Sequence, residues 1–126
     1  MARLQGRWGE EAARRHALWR GATLVERNAR DRQGELDLVL RHWAPPHWGV
    51  LVFAEVKARR AGLDEAQAAV TPEKQRRVMA AACRWLAARG LDPETTPIRF
   101  DVFAVGVDAR GRPQVRWIQG AFPEAA

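Results

Sequence analysis

Glu55 and Lys57 interrupt an otherwise apolar run, "LVFAEVKAR" (residues 51–59), with a carboxylate and an ammonium two positions apart. In an extended chain such residues project from one face, their Cα atoms about 6.5–7 Å apart. Alone, the pair reads as either an ion pair on a strand or a catalytic edge. Asp37, in "GELDLV" (34–39), adds a second carboxylate from a neighbouring segment. Hard oxygen ligands of this kind suit Mg²⁺ or Mn²⁺, with water and substrate phosphate completing the coordination. A lysine beside such an ion orients or deprotonates an attacking water and offsets charge building on phosphorus. These groups suffice for phosphodiester hydrolysis. The competing reading is a structural network in which Lys57 balances Asp37 and Glu55. Its weakness is that three charged groups on central strands cost desolvation that apolar residues would avoid.

The elements that must position these groups follow from pattern. Residues 4–19 read as a helix with Gly21 as its stop, and Gly6, Gly9, Ala13 and Ala17 form a small-residue stripe suited to close packing on a sheet. Glu10 lies on that stripe, whereas Glu11 is rotated about 100° away, toward solvent. Arg14 and Arg15 stand one turn after the two acids, so an ion pair is the alternative reading for either. Residues 22–30 predict a first strand and 31–34 a turn. In 35–40, Leu36, Leu38 and Leu40 are expected on one face and Glu35, Asp37 and Val39 on the other. Residues 50–57, almost continuously apolar, predict a central strand covered on both sides.

A short helical turn is expected near Ala66. Thr71, Pro72 and Glu73 then open a helix with an N-cap, a proline at the first position and an acid in the first turn. Val78, Ala81, Ala82, Trp85 and Leu86 form its apolar stripe, and Cys83 reads as a small core residue. Strands are predicted at 98–107 and 113–119. The helix between the third and fourth strands is long enough for a crossover, which makes that pair parallel. The expected product is one α/β domain with a mixed sheet flanked by helices.

The chain has 126 residues and a formal net charge of +6, which suits a polyanionic partner. Only two of its 21 basic residues are lysines, Lys57 and Lys74, so each marks a position where a compact ammonium is wanted. Cys83 is the single cysteine, which excludes an intramolecular disulfide or a cysteine metal cluster and fits a reducing compartment. With no apolar run of membrane-spanning length and a charged, amphipathic start, a soluble cytoplasmic protein with no membrane partner is expected. His16, His42 and His47 show no metal-ligand spacing.

"GRWGE" (6–10), "GELDLV" (34–39), "FAEVKAR" (53–59), Lys74 and "RFDVFAV" (99–105) occur in the order and at roughly the spacing found in the YraN-like family of small bacterial proteins, described as predicted endonucleases. The chain resembles that family over nearly its whole length. The family in turn is similar to the restriction-endonuclease-like, PD-(D/E)XK superfamily and, within it, to archaeal Holliday-junction resolvases. The resemblance implies a restriction-endonuclease-like fold with about five strands. It also implies that Asp37, Glu55 and the backbone carbonyl of Val56 are metal ligands, that Lys57 is the catalytic lysine, and that Glu10 completes the site. Ala54 and Leu36 depart mildly from the family's usual valine and isoleucine without touching the chemistry.

Arg59, Arg60 and Lys74 are candidate phosphate contacts, and Trp43 and Trp48, on a loop stiffened by Pro45 and Pro46, are candidates for stacking on bases. A solvated basic face and a covered sheet edge are the respective alternatives. The expectation is a Mg²⁺- or Mn²⁺-dependent endonuclease acting on DNA, structure-selective for branched or single-stranded forms because no base-reading module is evident. The alternatives are a nucleic-acid-binding module of the same fold without turnover, and a protein-interaction domain with a structural triad. A homodimer would suit junction cutting, which needs two symmetry-related sites.

Overall fold

The computed structural model describes residues 2–46 and 48–122, with side chains from Arg7 onward. The packing of Gly6 and the whole of His47 lie outside the described residues. The chain runs α1 (Ala2–Leu18), β1 (Ala22–Asp31), β2 (Gly34–His42), β3 (Val50–Ala58), α2 (Leu63–Ala68), α3 (Pro72–Ala88), β4 (Ile98–Val107) and β5 (Pro113–Ile118). This is an α/β fold in which one five-stranded mixed sheet, ordered β1-β2-β3-β4-β5, is flanked by helices, an arrangement consistent with a restriction-endonuclease-like fold. Strands β3 and β4 pair in parallel and the other neighbours are antiparallel. Among the described residues no helix is long and apolar enough to cross a membrane.

Each sheet face carries its own core. Ala13 and Ala17 of α1 pack with Leu38, Leu40, Val52, Ala54, Phe103 and Val105, while Val78, Ala82, Trp85 and Leu86 of α3 pack with Val39, Leu51 and Phe53 on the other face. Full burial of a Leu, Val or Phe side chain contributes about 1.5–3 kcal/mol. Because β3 is buried on both faces, its apolar residues hold the central strand against α1 and α3 together. Helix α1 lies very close: a Cβ at Gly9 would stand 2.8 Å from the Ala58 Cβ. Helix α3 starts as the sequence predicts, with the Thr71 hydroxyl accepting from the Lys74 N–H at 3.3 Å.

Two expectations are corrected. Leu36 packs on the α3 side with Val39, whereas Leu38 and Leu40 pack on the α1 side. Residues 36 and 38 therefore face oppositely, and the pleat breaks at Asp37. Its opposite number on β1 is Asn28, between the Ala29–Leu36 and Arg27–Leu38 pairs, and Asn28 has φ 52°, in the left-handed region that Asn tolerates better than most residues. Cys83 is exposed rather than in the core, because it falls off the 78-81-82-85-86 stripe that faces the sheet.

A fully buried carboxylate, Asp101 of β4, ties the far side of the sheet together. Arg99 donates to both of its oxygens at 2.9 and 2.8 Å, Trp117 Nε1 donates at 2.8 Å and the Gly120 N–H at 2.9 Å. The saturation of its oxygens is what allows a charge to sit at this depth.

Candidate functional site

The site forms where β2 parts from β3. Their pairing ends at Leu38–Ala54, so the last residues of β3, Glu55 to Ala58, are paired on one side only, with β4. Into the gap comes Asp37, whose Oδ2 accepts from the Val56 N–H at 2.9 Å. N–H and C=O of one strand residue point to the same edge, so the Val56 carbonyl also faces the gap, beyond the end of the β2 ladder.

Glu55 and Lys57 share the α3-facing side of β3, with Lys57 Nζ 3.2 Å from Glu55 Oε1 and the glutamate side chain 11% exposed. Asp37 and Glu55 lie within hydrogen-bonding reach of each other. Burial, first, and the neighbouring charges of Glu55 and Glu10 push the Asp37 carboxyl up to about 8, against the lowering effect of the Val56 N–H. Glu10 enters from α1. Its carboxyl too is raised, chiefly by burial, then by Glu35 and Glu55, while hydrogen bonding to Asn28 and the charge of Arg27 pull the other way.

Glu10, Glu35 and Asp37 each place a carboxylate oxygen within 4.8 Å of the others. Four carboxylates thus crowd one sheet end, and that crowding adds to burial in raising the carboxyls of Asp37 and Glu10. An oxygen-only donor set with surplus negative charge is the chemistry that a hard divalent cation matches. The two acids of α1 separate as their rotation predicts: Glu11 takes both Arg14, at 2.6 Å, and Arg15, at 3.1 Å. Glu10 is left for the site, held there by the close approach at Gly9.

A cleft of about 350 Å³ opens between this end of the sheet and the first turns of α3, lined by Gln33, Gly34, Glu35, Glu55, Lys57, Lys74, Arg77 and Val78. The two lysines of the chain therefore face one space. Arg59 follows directly on β3, its N–H bonded to the Val105 carbonyl at 2.9 Å, and both Arg59 and Arg60 are exposed.

Trp43 and Trp48, the candidates for stacking on bases, are elsewhere. They sit on the β2–β3 loop at the opposite end of the sheet, and Trp43 is about 20 Å along β2 from Asp37 at the usual rise per residue. Trp43 donates to the hydroxyl of Thr23, on β1, at 3.0 Å. Trp48 is 68% exposed.

Residues 9–105 match the model of the uncharacterised protein family UPF0102. The chain belongs to that family. It is 43% identical to a UPF0102 protein of Frankia alni, covering 93% of this chain and 92% of the relative. A UPF0102 protein of Corynebacterium glutamicum is 42% identical over 87% of this chain and 84% of its own length. One from Symbiobacterium thermophilum is 42% identical over 97% and 98%. All the cleft and carboxylate residues named above fall inside the matched segment of this UPF0102 chain.

Two members of the site were not singled out from sequence. Glu35 had a signal, since the alternation of β2 set it with Asp37 on the acid-bearing side. An ion pair with Arg30 at 2.8 Å accounts for one of its oxygens. Asn28 had none, because its approach to Glu10 depends on a backbone conformation that no local pattern announces.

Proposed function

We propose that this UPF0102 chain is a metal-dependent nuclease of the restriction-endonuclease-like, PD-(D/E)XK type, hydrolysing DNA phosphodiesters with a preference for branched or single-stranded forms. The observation that carries the reading is the meeting of Asp37 with Glu55, which together with Lys57 lines an accessible cleft, and the approach of Glu10 to Asp37. Asp37, Glu55 and the Val56 carbonyl would hold Mg²⁺ or Mn²⁺. Bound there, the ion would supply Lewis-acid stabilisation of the phosphoryl oxygens and a more acidic water. The carboxylates fit such an ion, because the surplus charge that now favours a proton on Asp37 would be neutralised by a cation instead.

The protein's own groups divide the remaining work. Lys57, fixed by Glu55, orients the attacking water and donates toward the phosphate oxygens. Water oxygen bonds to phosphorus, the phosphorus–oxygen ester bond breaks, and the proton shed by the water is balanced by protonation of the leaving alkoxide from solvent. Glu10 and Glu35 set the charge around the attacking side, and Arg59 and Arg60 offer contacts to flanking phosphates. The test compares wild type with Glu55→Ala and Lys57→Ala on single-stranded, duplex and four-way-junction DNA, with Mg²⁺, Mn²⁺ or chelator. Metal-dependent cleavage lost in both variants is expected. DNA binding without cleavage under every metal condition would make the chain a non-hydrolytic binding module instead.

A further inference from the structure

Lys74 is the cation of the cleft that no carboxylate claims. Lys57 is paired with Glu55 at 3.2 Å, and Arg77, the other base on the α3 wall, is paired with Glu73 at 2.7 Å. Among the described residues Lys74 has no ion pair, yet its side chain lines the same cleft as Lys57 and comes within hydrogen-bonding reach of it from the opposite wall. Two ammonium groups so close repel each other, and Lys57 is the main reason that the Lys74 amine is held below its ordinary value. An anion placed between them removes that repulsion and gains two charge-assisted hydrogen bonds. In a chain with nineteen arginines, the two positions that keep lysine are these two. A compact ammonium fits where two cations must approach one oxyanion, whereas a planar guanidinium fork would crowd its neighbour.

We propose that Lys74 is a substrate-binding residue that grips the same phosphodiester as Lys57, so that one backbone phosphate is held between β3 and α3. This rests on the nuclease reading for the fate of the phosphate, but the grip itself is independent of turnover. Since the chain has only two lysines, lysine-selective ¹⁵N labelling yields two side-chain ammonium resonances, and each variant assigns one of them.

The experiment titrates a short oligothymidylate into labelled full-length protein under chelator and follows both resonances. Cleavage with Mg²⁺ is measured in parallel. Both signals are expected to move on one saturation curve. Lys74→Ala should weaken binding about ten-fold, the loss of one charge-assisted hydrogen bond. It should also reduce the slope of log affinity against log salt by about 0.7, the contribution of one single-strand phosphate. Lys74→Arg is expected to recover the salt slope but not the full affinity. Movement of the Lys57 signal alone, or unchanged binding by Lys74→Ala in a folded protein, overturns the proposal while leaving the nuclease reading intact. Joint movement of both signals with no cleavage under any metal supports the phosphate grip and refutes the nuclease. If neither signal moves, the grip is refuted whatever the cleavage result.

Discussion

Replacing Asp37 by asparagine is expected to make the protein more stable and at the same time abolish the proposed cleavage. In the fold the Asp37 carboxyl is pushed up to about 8 by burial and by Glu55 and Glu10, whereas an unfolded chain would release its proton near the ordinary 3.8. The folded state therefore binds the proton more tightly, so its stability falls as pH rises from about 4 to about 8 and then levels off. Each pH unit inside that window costs about 1.4 kcal/mol, so at pH 7 the burden reaches about 4 kcal/mol. Asparagine has nearly the same shape, and its Oδ1 still accepts the Val56 N–H at the 2.9 Å now spanned by the carboxylate.

Thermal and urea denaturation of metal-free protein at a series of pH values measures the effect. Asp37→Asn should gain several kcal/mol at pH 7–8, roughly 10 °C or more in Tm, and almost nothing at pH 4. Its stability should also be flatter with pH than that of wild type. Mg²⁺ should raise the Tm of wild type and leave that of the variant unmoved. A variant no more stable than wild type at pH 8, with the pH dependence intact, would refute the burial and crowding of the Asp37 carboxyl at this sheet end.

Gly9→Ala places a Cβ 2.8 Å from that of Ala58 and must push α1 outward. A loss of about 1–3 kcal/mol by urea titration is expected from such overpacking, with a larger proportional loss of the proposed cleavage because Glu10 moves with the helix. Asp101→Ala leaves the Arg99 guanidinium buried without its carboxylate and should cost about 3–5 kcal/mol by chemical denaturation. Trp48→Ser, at the opposite end of the sheet, should leave the rate of the proposed cleavage within about two-fold of wild type, in line with a surface substitution far from the carboxylates. A large loss of activity would place part of the substrate on that loop.

Much of the frame was legible because it rests on short-range rules. The Thr71-Pro72-Glu73 start of α3, the doubly apolar β3 and the small-residue stripe of α1 each reflect a local cap, a burial period or a packing distance, and each element formed where its pattern set it. The rotation separating Glu10 from Glu11 was equally local, and the structure gives both arginines to Glu11. The face of Leu36 was misread because strict alternation assumes an unbroken pleat, and Asn28 and Asp37 break it together. Trp43 and Trp48 stand apart from the carboxylates, because a hairpin loop sits at one end of its strands and Glu55 and Lys57 at the other.

By itself the sequence determined which side chains were available and on which elements they would ride: an acid on β2, an acid and a lysine two apart on β3, an acid on the packed face of α1. Periodicity and capping are properties of neighbouring residues, so they can be read from the chain. Only the tertiary structure decided that β2 leaves β3 after Leu38, that Glu35 and Asn28 join the carboxylates, and that Lys74 crosses from α3 to meet Lys57. Those outcomes depend on where a strand pair opens and how closely two helices settle on the sheet. Such distances are set by packing between residues far apart in the chain, and no local pattern records them.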